Sequence, residues 1–204
     1  MNWIRPPGPV SDGLTIGLLG GSFNPAHDGH AYVSETAMKR LGLDYVWWLV
    51  SPGNPLKQSA DMAPFTERLK SAKAVAQDPR FIVSGIEQQL GTRYTVDTVT
   101  ALVRRFPQVR FVWLMGSDNL AQFSRWRRWQ DLARMIPIVV VQRPGSIMAA
   151  LHAAPIRRFG ARRNYAQSLR TPALLVIDGV RNRQSATQLR ALGQAPSAML
   201  DSLY

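Results

Sequence analysis

A chain of 204 residues with 46% hydrophobic content, a formal net charge of +12 and no cysteine is long enough to bury a full core. The lack of cysteine excludes disulfides, thiolate catalysis and cysteine-ligated zinc or iron–sulfur centres. The charge is lopsided: residues 1–100 hold nine Lys/Arg and nine Asp/Glu, whereas 101–204 hold sixteen Arg, no Lys and four Asp. That excess suits a phosphate-bearing partner, and equally a solvated basic surface.

Residues 1–13, MNWIRPPGPVSDG, are rich in proline and glycine and read as a mobile tail ahead of a single domain over 14–204. The tail lacks the apolar core of a signal peptide, and no later run approaches the roughly 18 apolar residues of a membrane span. A cytoplasmic protein with no membrane association is therefore expected. Strands are predicted at Leu14–Leu19, Tyr45–Val50, Phe81–Ser84, Val109–Met115, Ile136–Val141 and Leu174–Ile177. Their nearly continuous hydrophobicity, as in YVWWLV, marks strands covered on both faces. Between them, AYVSETAMKRLG, TERLKSAKAVAQ, TVDTVTALVRRF and WQDLARM carry apolar residues at helical spacing. The alternation predicts an α/β fold with a Rossmann-like, doubly wound open sheet, mainly parallel. Ligands of such sheets sit at the carboxyl ends of the strands. The stretch 51–64 is a long irregular loop at one of those ends, and 144–172 shows no clean period.

The first strand runs into GGSFNPAHDGH, Gly20 to His30, with a helix starting near Asp28 or Gly29. Glycines at a strand exit let backbone approach a ligand closely, and a helix start favours a phosphate. Neither GxGxxG nor a Walker loop is present. His27 and His30 share one face of the first turn, leaving three readings: a metal pair, a cap for the turn, or donors to phosphate oxygens. A metal pair needs a third ligand, and His152 is the one other histidine. Near the end, Ser185-Ala186-Thr187-Gln188-Leu189-Arg190 places hydroxyls at N-cap positions with a guanidinium one turn on.

GSFNPAHDGH resembles the HxGH signature of the nucleotidyltransferase superfamily of adenylyltransferases, and SATQLR is similar to that superfamily's late S-[ST/A]-T-x-x-R element. Four further segments resemble those of bacterial nicotinate-nucleotide adenylyltransferases. They are Ser51-Pro52-Gly53-Asn54-Pro55-Leu56-Lys57, Arg93-Tyr94-Thr95-Val96-Asp97-Thr98, Met115-Gly116-Ser117-Asp118-Asn119-Leu120 with Phe123 and Trp126, and Val141-Gln142-Arg143-Pro144-Gly145. The likeness runs from about residue 14 to the C-terminus and implies a fold of nucleotidyltransferase type.

The resemblance implies transfer of AMP from ATP to nicotinate mononucleotide, giving deamido-NAD and pyrophosphate, with Mg²⁺ accompanying the nucleotide and no metal held by protein ligands alone. His27, His30, Lys57 and Arg190 are implied as catalytic, through charge stabilisation on the leaving pyrophosphate. ATP contacts are implied for Gly20, Gly21, Ser22, Phe23, His27, His30, Gly116, Asp118, Arg143, Ser185, Thr187 and Arg190. Nicotinate-nucleotide contacts are implied for Asn54, Lys57, Tyr94, Thr95 and Trp126. An indole stacks well on a cationic pyridinium, and Trp126 is expected to be exposed for this while Trp129 is core. Backbone N–H groups near Trp126 are expected to help hold the nicotinate carboxylate. Departures from the family pattern are Arg93 for Ser, Asn24 for Asp, Gln184 for an apolar residue, and Arg127 for the aromatic that follows the tryptophan. The alternatives are a nicotinamide-mononucleotide adenylyltransferase and, in another class, a basic nucleic-acid-binding protein. Nucleic acid is not the expected partner, and self-association is left open.

Overall fold

The computed structural model describes residues 5–53, 62–142, 154–159 and 171–177, the side chain of Arg157 excepted. In chain order the elements are β1 (Thr15–Gly21), α1 (Asp28–Leu41), β2 (Tyr45–Val50), α2 (Phe65–Val75), β3 (Phe81–Ser84), α3 (Ile86–Leu90) and α4 (Thr95–Arg105). There follow β4 (Arg110–Gly116), α5 (Ser117–Phe123), α6 (Trp129–Met135), β5 (Ile138–Val141), α7 (Ala154–Phe159) and β6 (Leu174–Ile177). The strands form one six-stranded sheet in the order β3-β2-β1-β4-β5-β6, and all five pairings are parallel.

Period-two alternation within the apolar strands sends side chains to two cores. On one face Ile16, Leu18, Trp47, Leu49, Trp113, Met115, Ile138 and Val140 pack with Ile86 of α3, Val99 of α4, Phe123 of α5 and Leu132 of α6. On the other, Leu19, Val46, Trp48, Val112, Leu114 and Val139 pack with Val33 and Met38 of α1 and Ala72 of α2. Both faces are covered by helices, which is why YVWWLV reads as an unbroken apolar run. Strand β5 starts at Ile138, two residues later than its apolar run suggests. Pro137 has no N–H to offer a ladder, and the first bond toward β6 is the Ile138 N–H to the Ala173 carbonyl at 2.9 Å.

Helix α1 is closed at both ends. Asp28 lies in its first turn and Lys39 and Arg40 in its last, each suited to the dipole. Gly42 follows in the left-handed region at φ 62°, its N–H returning to Met38. Ahead of β1, Val10 packs against the core and its carbonyl accepts from Gln108 Nε2 at 2.8 Å. Among the described residues no helix is long and apolar enough to cross a membrane.

Candidate active site

The strand order reverses between β1 and β4, and a crevice opens at the carboxyl ends of two such strands. The register Leu19 to Leu114 brings Gly21 and Gly116 level at that edge. Gly20, Gly21, Ser22, Phe23, His27 and His30 therefore leave β1 beside Gly116 and Asp118, which leave β4.

His27 is the N-cap of α1, in extended conformation, and is buried. Its Nδ1 accepts the Gly29 N–H at 3.0 Å, while His30 Nδ1 accepts the His27 N–H at 3.2 Å. This is a capping box in which two imidazoles do what a hydroxyl and a carboxylate usually do. An Nδ1 that accepts leaves the proton of a neutral ring on Nε2, so both rings are donors at Nε2. His30 Nδ1 also lies 3.3 Å from the His27 carbonyl, to which a protonated ring donates. Of the three readings of the pair, the capping one is realised.

Beneath His30 lies an aromatic floor. Phe23 is buried, its ring centroid 4.7 Å from that of His30 and stacked 5.3 Å from that of Trp48. Trp48 Nε1 donates to Ser34 Oγ at 2.9 Å, and that hydroxyl donates to the His30 carbonyl at 3.0 Å. Phe23 holds φ 47°, a left-handed backbone that costs a non-glycine residue about 1–2 kcal/mol.

The two glycines have different neighbours. A Cβ on Gly20 would overlap the buried Trp113 indole, with Cζ2 at 2.8 Å, whereas one on Gly21 would meet only the Phe23 ring at 3.4 Å. Packing of Trp113 under β1 is thus the first reason for Gly20, ahead of any ligand.

Gly116 is the N-cap of α5, with Ser117 buried and Asp118 exposed in the first turn. Tyr94 is the N-cap of α4, in extended conformation, and Thr95 is the first residue of that helix. The Arg127 guanidinium lies over the Tyr94 ring at 4.6 Å, so the family departure at 127 joins the segment before α6 to the start of α4. Trp126 is half-buried, with its ring edge-on to Trp113 at 5.8 Å and to Phe123 at 5.3 Å. Trp129 is half-buried as well, against Phe123 and Phe159. The expected division into an exposed Trp126 and a core Trp129 does not hold, because both indoles lean on Phe123. Two of the N–H groups near Trp126 are engaged within the protein. The Trp126 N–H donates to Phe123 at 3.0 Å and the Arg125 N–H to Gln122 at 2.9 Å, both within the turn.

Asn54, Lys57, Arg143, Ser185, Thr187 and Arg190 lie outside the described residues, as does His152. Among the described residues, no group of three or more His, Cys, Asp or Glu side chains gathers to hold a metal.

Two buried ionisable residues escaped the sequence reading. Arg68 of α2 is 2% exposed and donates to four backbone carbonyls: Ala63 at 2.9 Å, Ser22 at 2.6 Å, Ser51 at 2.8 Å and Pro52 at 3.1 Å. Its signal was its place in the helical period, three residues after Phe65 and four before the buried Ala72. Glu87 of α3 is buried and accepts from Thr98 Oγ1 of α4 at 3.2 Å. Burial pushes its carboxyl from an ordinary 4.5 up to about 7, the Thr98 bond opposing. No period marks a five-residue helix, so nothing in the sequence located it.

Comparisons with known proteins bear on the family and the fold. A family model described as cytidylyltransferase-like matches residues 18–191. A Parvibaculum lavamentivorans protein named "Probable nicotinate-nucleotide adenylyltransferase" is 52% identical over 190 residues, covering 90% of this chain and 94% of its own. A Brucella abortus protein of the same name is 46% identical over 192 residues, covering 90% and 99%. Among solved structures, the Plasmodium falciparum nicotinic acid mononucleotide adenylyltransferase complexed with NaAD superposes with a TM-score of 0.68 at 15% identity, covering 87% of this chain and 83% of that one. At that identity the likeness is one of fold.

Proposed function

The chain belongs to the nicotinate-nucleotide adenylyltransferase family, within the cytidylyltransferase-like group, and from that premise we propose that it transfers AMP from ATP to nicotinate mononucleotide, releasing pyrophosphate and forming deamido-NAD. The observation that carries the reading is the imidazole pair at the start of α1, held in the Nε2–H tautomer at the carboxyl edge of the central strand.

The nucleophile is a phosphate oxygen already ionised at neutral pH, so the reaction needs no general base. What it needs is alignment of that oxygen with the α-phosphorus and stabilisation of charge on the departing pyrophosphate. His27 and His30 supply N–H donors there, reinforced by the N-terminal dipole of α1, a 14-residue helix. Gly20, Gly21, Ser22 and Phe23 bring backbone to the nucleotide, with Gly116 and Asp118 on the facing strand end. Lys57, Arg143, Ser185, Thr187 and Arg190 complete the phosphate contacts by their match to the family motifs. Trp126 stacks the pyridine ring, and Tyr94, Thr95 and Asn54 line its nucleotide.

The cation of the reaction is divalent, and Mg²⁺ is the proposed one, carried by the nucleotide phosphates. The described residues gather no donor set of their own for it, and no step is assigned to a protein-held metal. The substrates are accordingly ATP and nicotinate mononucleotide.

The test is pyrophosphate release from ATP and Mg²⁺ with nicotinate mononucleotide, nicotinamide mononucleotide and phosphopantetheine offered in parallel. Nicotinate mononucleotide is expected to be preferred at least tenfold in kcat/KM, about 1.4 kcal/mol of discrimination. Equal turnover of the first two defeats the acid preference, and turnover of none defeats the enzymatic reading.

A further inference from the structure

A buried guanidinium without a carboxylate is costly, since desolvation is offset only by neutral acceptors. Arg68 is in that position: its four acceptors are backbone carbonyls, and burial pulls it below the ordinary arginine range without depriving it of its charge at neutral pH.

The carbonyls it holds come from two loops that leave adjacent strands. Ser22 follows β1, and Ser51 and Pro52 follow β2. Two more bonds clamp the β1 loop to the same helix region: the Ala26 N–H donates to Ser71 Oγ at 3.1 Å, and the Ala63 N–H to Asn24 Oδ1 at 3.1 Å. In a planar trans peptide the C=O and the following N–H point in opposite directions. Drawing the Ser22 carbonyl onto Arg68 therefore turns the Phe23 N–H away from the guanidinium, and drawing the Pro52 carbonyl does the same to the Gly53 N–H. A cation on the carbonyl side also polarises each peptide and strengthens the N–H opposite.

We propose that Arg68 is a positioning residue for the reaction, the side chain that ties the β1 and β2 loops together and aims their peptide N–H groups, those of Phe23 and Gly53, at a bound phosphate. The inference rests on the adenylyl-transfer reading. It adds a residue that touches no substrate and acts through the backbone.

The test compares wild type, Arg68→Lys and Arg68→Met by thermal melting and by steady-state kinetics with ATP and nicotinate mononucleotide varied separately. In Arg68→Met, kcat/KM for ATP is expected to fall at least tenfold at temperatures well below melting, and in Arg68→Lys the loss is expected to be partly recovered. Lowered melting with kcat/KM within twofold of wild type in both variants makes Arg68 a structural residue only and overturns the proposal. Should neither variant fold, the wild-type protein carries the test: inorganic pyrophosphate is expected to shift the Phe23 and Gly53 amide signals in ¹⁵N spectra, and unmoved signals overturn the proposal. Absence of turnover by the wild type counts against the adenylyl-transfer reading instead, leaving the amide titration to decide on Arg68.

Discussion

The ring centroids of His27 and His30 lie 4.1 Å apart, and each imidazole uses Nδ1 to hold backbone at the first turn of α1. The rings are thereby held against the backbone of that turn. Preorganisation of this kind is what makes a donor effective against charge that develops only in the transition state.

His30→Ala is expected to lower kcat by about 10²–10³-fold, the usual loss when one preorganised donor is removed. Because the ring also caps the His27 N–H, about 1 kcal/mol of stability goes with it. Single-turnover kinetics beside a melting curve separate the two effects. A folded variant with near-normal kcat contradicts the donor role.

Gly20→Ala is expected to cost about 1–3 kcal/mol, because the added methyl must displace a Trp113 indole that is 1% exposed and boxed in by Trp126. Gly21→Ala, which meets ordinary van der Waals contact, should cost less. Denaturant midpoints for the two variants check the order, and the reverse order rejects this account of the glycine pair.

Glu87 makes stability depend on pH. Its folded carboxyl titrates at about 7 and its unfolded one at 4.5, so its contribution is fully present below 4.5 and is lost as pH rises through 7. Glu87→Gln keeps an acceptor for Thr98 and never ionises, so above about pH 8 it is expected to exceed wild type by up to about 3 kcal/mol. Melting midpoints from about pH 5 to about pH 8 should diverge in that sense. Parallel curves for the two proteins refute it.

Trp126→Ala is expected to raise KM for the pyridine nucleotide chiefly, with kcat less affected. It should also lose about 1–3 kcal/mol of stability, since the ring packs on Trp113 and Phe123. Trp126→Phe should recover most of the stability and part of the KM. An Ala variant with unchanged KM leaves Trp126 as packing alone.

The sheet was legible because burial on both faces writes long apolar runs, and β2, β3 and β6 match those runs residue for residue. Helix α6 matched as well, WQDLARM being its full extent. Helix α3 went unread, since five residues make less than about two turns and leave no period to detect, and α5, as short as α6, was read only as part of a motif segment. The strand-end glycines and histidines were legible as a group by their spacing. The partners that hold them were not: Arg68 and Ser71 reach the β1 loop from α2, and Trp48 of β2 bonds Ser34 of α1, through contacts that only the fold brings together. Trp126 was misjudged because exposure of an indole depends on how Phe123 and Trp113 crowd it, which no local pattern records.

The sheet order has a consequence for how the molecule is made. Thr15 of β1 bonds Asp44 across 29 residues of chain, but it bonds Arg110 across 95. Closing the longer loop costs more entropy, and non-local parallel pairing is the slow part of folding. The β1-β2-β3 half can therefore pair while the ribosome is still adding the rest. The crevice between β1 and β4 comes into being only when the second half arrives, so nucleotide affinity should be among the last properties a growing chain acquires.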